Sequence, residues 1–141
     1  MDFISPTWSA GLSKCEKQTY EGVQTYYGQF QANSCQFLAL LKIFGEALFY
    51  RTQAKEAVVY GAVVLRDKSN VANLTLYSNR AYVNESMIGD IEIRSFESQP
   101  IVYLNHAKIA GNIVFKGMKG LVYSDQSSGV GKITNGDIQY V

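Results

Sequence analysis

Apolar and polar positions alternate along this chain in short runs, and six of the runs share a phrase that opens on glycine. After the glycine come a mostly polar residue, an apolar residue, any residue, and usually a second apolar residue. The clearest copies are Gly89-Asp90-Ile91-Glu92-Ile93 and Gly111-Asn112-Ile113-Val114-Phe115. Gly28-Gln29-Phe30-Gln31-Ala32, Gly45-Glu46-Ala47-Leu48-Phe49 and Gly61-Ala62-Val63-Val64-Leu65 precede them. Gly131-Lys132-Ile133-Thr134-Asn135 follows, with a polar last position. The glycines stand 17, 16, 28, 22 and 20 residues apart, so the phrase is an internal repeat.

A period of two places the second and fourth residues after each glycine on one face of a strand. Those pairs are Phe30/Ala32, Ala47/Phe49, Val63/Leu65, Ile91/Ile93 and Ile113/Phe115, all apolar and therefore expected to face inward. Second apolar runs lie between the phrases, at 37–41, 74–77, 101–104 and 121–123. Two or three strands per repeat, with a bend at glycine, predict an all-β, single-domain parallel β-helix (a solenoid) of about five to six coils. One coil cannot bury its own apolar face, whereas stacked coils share one. Residues 1–20, with Trp8, Gly11, Leu12 and Cys15, hold no copy of the phrase and read as an atypical N-terminal cap, leaving 21–141 for the solenoid.

One stretch competes. Phe37, Leu40, Leu41, Phe44 and Leu48 also fall at helical spacing, so a helix over about 36–56 packed on a sheet is the alternative. The polar clusters 66–70, 78–80 and 95–100 predict turns or protruding loops, and Gly117 and Gly120 bracket a tight turn. Asn135-Gly136 is a hairpin signal, which predicts that 137–141 leaves the coil geometry.

Composition supports strands: ten Tyr, seven Phe and only two Pro in 141 residues. Thirteen basic against 12 acidic residues give no global field for nucleic acid. No apolar run is long enough to span a membrane as a helix. The first six residues lack the basic and apolar segments of a signal peptide, so the chain is either cytosolic or a mature form carrying an added start Met. Cys15 and Cys35 lie 20 residues apart, about one repeat, where stacked coils would bring them together as a disulfide. Two buried free thiols are the alternative. A disulfide places the protein outside the cytosol: secreted, periplasmic or on the cell surface.

With the glycine register in place, residues 28–135, and best of all 101–115, resemble the right-handed parallel β-helix superfamily. Within it the chain is most similar to small uncharacterised repeat proteins exported by bacteria, and more weakly to the polymer-forming bactofilins. The resemblance implies a right-handed coil, as does the general rule for parallel crossovers. It also implies a secreted, virulence-associated or envelope setting. Catalytic members such as pectate lyases carry clustered Asp with Arg or Lys on one face.

The candidate chemistry is sparse. Asp90 and Glu92 share an outward strand face but lack further oxygen ligands in neighbouring phrases. His106, the single histidine, falls in a turn, and Asp125 and Asp137 read as turn formers. No metal-spaced cluster, phosphate loop or catalytic triad is present, so no catalytic residue, metal or cofactor is assigned. Arg66, Arg94 and Lys116 each follow a phrase directly and would form a ladder of three cations. Such a ladder would bind an anionic ligand, or else keep strand ends soluble as gatekeepers. Tyr77, Tyr103 and Tyr123, with Tyr82 beside them, would offer a sugar- or protein-binding strip, or else line the core. The expected function is non-catalytic binding of a glycan or of a host or cell-envelope protein. A polysaccharide-active lyase or hydrolase and a self-assembling module, a homo-oligomer stacking end to end or by its edges, are the alternatives.

Overall fold

The computed structural model of the protein describes residues 12–141, and every regular element among them is a strand. The first are β1 (Leu12–Glu16), β2 (Thr19–Tyr20), β3 (Gln24–Tyr27), β4 (Gln29–Asn33) and β5 (Gln36–Phe44). Then come β6 (Ala47–Tyr50), β7 (Gln53–Val59), β8 (Val63–Arg66), β9 (Asn70–Leu76) and β10 (Arg80–Asn84). The last six are β11 (Met87–Ser95), β12 (Ile101–Asn105), β13 (Lys108–Gly117), β14 (Gly120–Ser124), β15 (Gly129–Thr134) and β16 (Gly136–Tyr140).

From β3 onward successive strands go alternately to two sheets, and all pairing is parallel. The first sheet runs β1-β4-β6-β8-β10-β12-β14-β16, and the second runs β15-β13-β11-β9-β7-β5-β2, with β3 also on β5. This is a parallel β-solenoid of about eight coils, not five to six. The undercount has two local causes: the 28-residue interval from Gly61 to Gly89 contains β9 and β10, a coil's worth of strand with no phrase glycine, and β1 and β2 form a further coil within the stretch expected to be a cap.

Every inward pair read from the phrase is buried, and residues of both sheets form one core. Identical positions stack from coil to coil. Phe30, Ala47, Val63, Ala81, Val102, Val122 and Ile138 form one continuous register column in the first sheet. In the second, Ile91 pairs with Ile113 and Ile93 with Phe115. Residues 36–56 are strands β5, β6 and the start of β7, so the helical spacing there is incidental. Its apolar residues are shared between the core, where Leu41 and Ile43 are fully buried, and the outer face, where Leu38 is exposed.

The phrase glycines occupy two different places. Gly28, Gly45 and Gly61 lie before first-sheet strands, whereas Gly89, Gly111 and Gly131 lie inside second-sheet strands, where the register shifts between β13 and its neighbours. Both places bring the backbone close to the coil below, as at Gly45, where a Cβ would run into the carbonyl of Gly28.

Of the expected N-terminal cap, residues 1–11 lie outside the described residues, and 12–20 contribute β1 and β2, which pair in parallel with β4 and β5. Asn135-Gly136 makes no hairpin. Asn135, at φ 60°, forms a coil corner and donates its side-chain amide to the carbonyls of Phe115 and Gly117. The chain then re-enters the first sheet as β16, parallel to β14. The Cys15–Cys35 disulfide is present, with Cα atoms 6.5 Å apart.

Candidate functional site

Where the second-sheet strands end, one residue per coil projects outward in a single column. Tyr27, Phe44, Tyr60 and Tyr77 stack there with centroids 5.1, 4.7 and 4.6 Å apart and planes within 7°, 15° and 6° of parallel. The strand separation of about 4.8 Å is close to the stacking distance of aromatic rings, so register alone builds the stack. Arg94, next in the column, lies over Tyr77 with its guanidinium carbon 5.7 Å from the ring centroid. Glu92 accepts a 2.7 Å hydrogen bond from Arg94 Nε and raises the guanidinium pKa further above its ordinary value. Lys116 follows as the register partner of Arg94.

The expected ladder of three cations is therefore a pair. Arg66 ends β8 in the other sheet, where its register partner is Tyr50. The tyrosines divide likewise. Tyr77 belongs to the corner column, while Tyr82, Tyr103 and Tyr123 are half-buried register partners on the outer face of the first sheet, with centroids 4.9 and 5.6 Å apart. In both stacks each inner ring turns its faces to its neighbours, so edges and hydroxyls rather than flat faces meet the solvent.

The feature that stands out beside the column is a departure from periodicity. Ile93 and Val102, inward positions on either side of a coil corner, are nine residues apart, against five for their counterparts Leu76 and Ala81 in the preceding coil. The four additional residues raise a loop over 96–99 on which Phe96 is 70% exposed. An open groove of about 490 Å³ lies beneath it, lined by Tyr60, Tyr77, Asn79, Arg94, Phe96 and Glu97 among others. The loop is braced from below: Asn79 donates to Ser98 Oγ at 2.7 Å, Ser95 Oγ to the Ser98 carbonyl at 2.7 Å, and Arg80 to the Gln99 carbonyl at 3.0 Å. A solvent-facing aromatic side chain, a guanidinium, a carboxylate and short hydroxyl and amide side chains thus converge on one concave surface, a mixture suited to a polar ligand with an apolar face.

The other residues weighed for chemistry are engaged elsewhere. Asp90 accepts from the backbone amide of Asn112 at 2.8 Å, and Glu92 is held by Arg94. His106 is exposed, with Nδ1 2.9 Å from the Asn105 side-chain oxygen and 3.5 Å from Asp125 Oδ2. Hydrogen bonds from the Ser128 and Ser127 hydroxyls, then the backbone amide of His106, pull the Asp125 pKa down to about 2. Among the described residues no group of three or more His, Cys, Asp or Glu side chains could hold a metal ion. No helix among them is long and apolar enough to cross a membrane.

Phe96 and Asn79 were not singled out from sequence, although a signal exists. The corners that follow the first-sheet strands carry non-glycine residues at φ between 47° and 66°: Lys17, Ser34, Arg51, Lys68, Glu85 and His106. The first five are spaced by 17 residues and the last by 21, which marks the lengthened coil. Comparison with family models, curated proteins and solved structures finds no match to this chain.

Proposed function

We propose that the protein is a secreted or surface-displayed, non-catalytic module that binds glycan chains in the groove beside Phe96. The observation that carries this reading is the lengthened corner over 96–99, where Ile93 and Val102 stand nine residues apart against seven for Phe115 and Val122 in the following coil. In repeat folds, extra residues within repeats form loops on one face, often the binding face. Here they expose an aromatic ring beside Arg94, Asn79 and Glu97. The ring would take the apolar face of a sugar, and the polar side chains would take its hydroxyls. The disulfide, and the resemblance to exported bacterial repeat proteins of right-handed coil, accord with a location outside a reducing cytosol.

A glycan array probed with wild type and Phe96→Ala tests the reading. Phe96 is outside the core, so stability should change by about 0.5 kcal/mol or less. An aromatic anchor is worth about 2 kcal/mol, so affinity for the retained glycans should fall roughly 30-fold. Equal binding by the two proteins, or retention of protein ligands alone, overturns it.

A further inference from the structure

At the corner leading from each first-sheet strand into the second sheet, hydroxyls of one coil accept from backbone amides of the coil before. Thr52 Oγ1 accepts from Cys35 N–H at 3.4 Å, Ser69 Oγ from Thr52 N–H at 3.1 Å, and Ser86 Oγ from Ser69 N–H at 3.2 Å. The next position in this column is Ala107, and after it Ser128 Oγ accepts from Ala107 N–H at 2.9 Å. The ladder thus loses one rung. Ala107 has no hydroxyl to offer, so among the described residues the Ser86 amide lacks the acceptor that the Cys35, Thr52, Ser69 and Ala107 amides have.

The missing rung coincides with a cleft of about 570 Å³ that Ser86, Met87 and Ala107 help to line. Lys68 and Lys108 stand on its rim, and neither is within ion-pair distance of a carboxylate among the described residues. Glu85 and His106 are among the other residues that line it. Asp125, the remaining carboxylate nearby, is committed to Ser127, Ser128 and the His106 amide. His106 Nδ1 lies 2.9 Å from the Asn105 side-chain oxygen and 3.5 Å from Asp125 Oδ2.

We infer that this corner cleft is a second binding site, distinct from the Phe96 groove, for a small hydroxylated oxyanion with the chemistry of a uronic acid or a sulfated sugar. The anionic group meets the Ser86 amide between Lys68 and Lys108, and supplies the acceptor that Ala107 withholds. The ligand's hydroxyls meet Glu85 and the His106 ring, and its apolar edge lies against Met87.

The test is calorimetric titration of the protein with glucuronate, glucose and sodium sulfate. Glucuronate should bind, glucose should bind at least tenfold more weakly, and sulfate should compete with glucuronate. Ala107→Ser rebuilds the missing rung, so it should weaken glucuronate at least tenfold while leaving the melting temperature unchanged or raised. Lys68→Gln/Lys108→Gln should weaken it comparably by a route that leaves the ladder alone, and Phe96→Ala should leave it unaffected. No binding of glucuronate, equal binding of glucose, or unchanged affinity in Ala107→Ser or in the lysine double variant overturns the inference. Loss of glucuronate binding in Phe96→Ala would move the site to the groove and overturn it equally.

Discussion

Arg94 and Lys116 are register partners on adjacent strands β11 and β13, and they extend the column in which Tyr27, Phe44, Tyr60 and Tyr77 are stacked. Adjacent strands lie about 4.8 Å apart, so the two cations repel each other. Glu92 offsets part of that repulsion by its contact with Arg94, and the Tyr77 ring offsets a further part. Lys116 makes no ion pair among the described residues, so the column ends in net positive charge one strand beyond Arg94, which lines the groove.

Gly45 is a strong test of the stacking geometry. A Cβ at this position would collide with the backbone carbonyl of Gly28, and a backbone contact cannot rotate away as a side chain can. Gly45→Ala should therefore cost about 1–3 kcal/mol by overpacking. Gly129→Ala is the matched control, because nothing lies within 4 Å of its Cβ position. Urea unfolding of the two variants checks the difference; equal stabilities would contradict the close coil approach at Gly45.

The inward pairs were legible because period-two alternation depends only on strand geometry, and Phe30/Ala32 through Ile113/Phe115 are all buried. The registration of those pairs between sheets was not legible. Gly61 and Gly89 open similar phrases, yet one precedes a first-sheet strand and the other sits inside a second-sheet strand. Both exist because the chain approaches the coil below, and that requirement leaves the same local pattern at either place. Arg66 was consequently grouped with Arg94, although they lie in different sheets. Phe96 escaped notice because its significance lies in the length of its coil relative to a 17-residue corner spacing that the glycines do not follow. The disulfide was legible from separation alone, since Cys15 and Cys35 are about one coil apart.

That disulfide should contribute to stability chiefly through the unfolded chain. Its two cysteines are 20 residues apart in sequence, a loop whose closure is worth about 3 kcal/mol in the chain-entropy model. Both cysteines are buried, so reduction should require prior opening of the first coils. Unfolding monitored with and without reductant should show the loss, and intact mass after alkylation under non-reducing conditions should show no free thiol. Two alkylated thiols in natively exported protein would remove the disulfide and the support it gives to export.

Asp125 predicts a specific response to acid. Its folded pKa of about 2, set first by the Ser128 hydroxyl and then by Ser127, lies below the value of about 3.9 expected in the unfolded chain. A depressed carboxyl pKa contributes stability that is fully present above the unfolded value and is lost as pH falls through the folded one. The stability difference between wild type and Asp125→Asn should thus be constant above about pH 4–5 and shrink towards pH 2. Denaturant midpoints measured across that window test the prediction, and a difference independent of pH would mean that the serine hydroxyls do not hold the carboxylate.

The charged end of the column separates recognition from gatekeeping. Arg94 and Lys116 lie on the outer face, so Arg94→Ala/Lys116→Ala should shift stability by about 0.5 kcal/mol or less per site. If the pair attracts acidic glycans, the double variant should bind them more weakly than wild type, and the wild-type affinity should fall with salt, because exposed charges are screened over about 8 Å at physiological ionic strength. Arg66→Ala, in the opposite sheet, should leave that affinity unchanged. If the pair instead keeps strand ends from associating, binding should persist in the double variant while light scattering rises with concentration. Titration of the three proteins against acidic glycans at low and high salt, with scattering recorded in parallel, distinguishes the two roles. An affinity that follows Arg66 rather than Arg94 and Lys116 would place recognition on the first sheet and exclude the corner column from it.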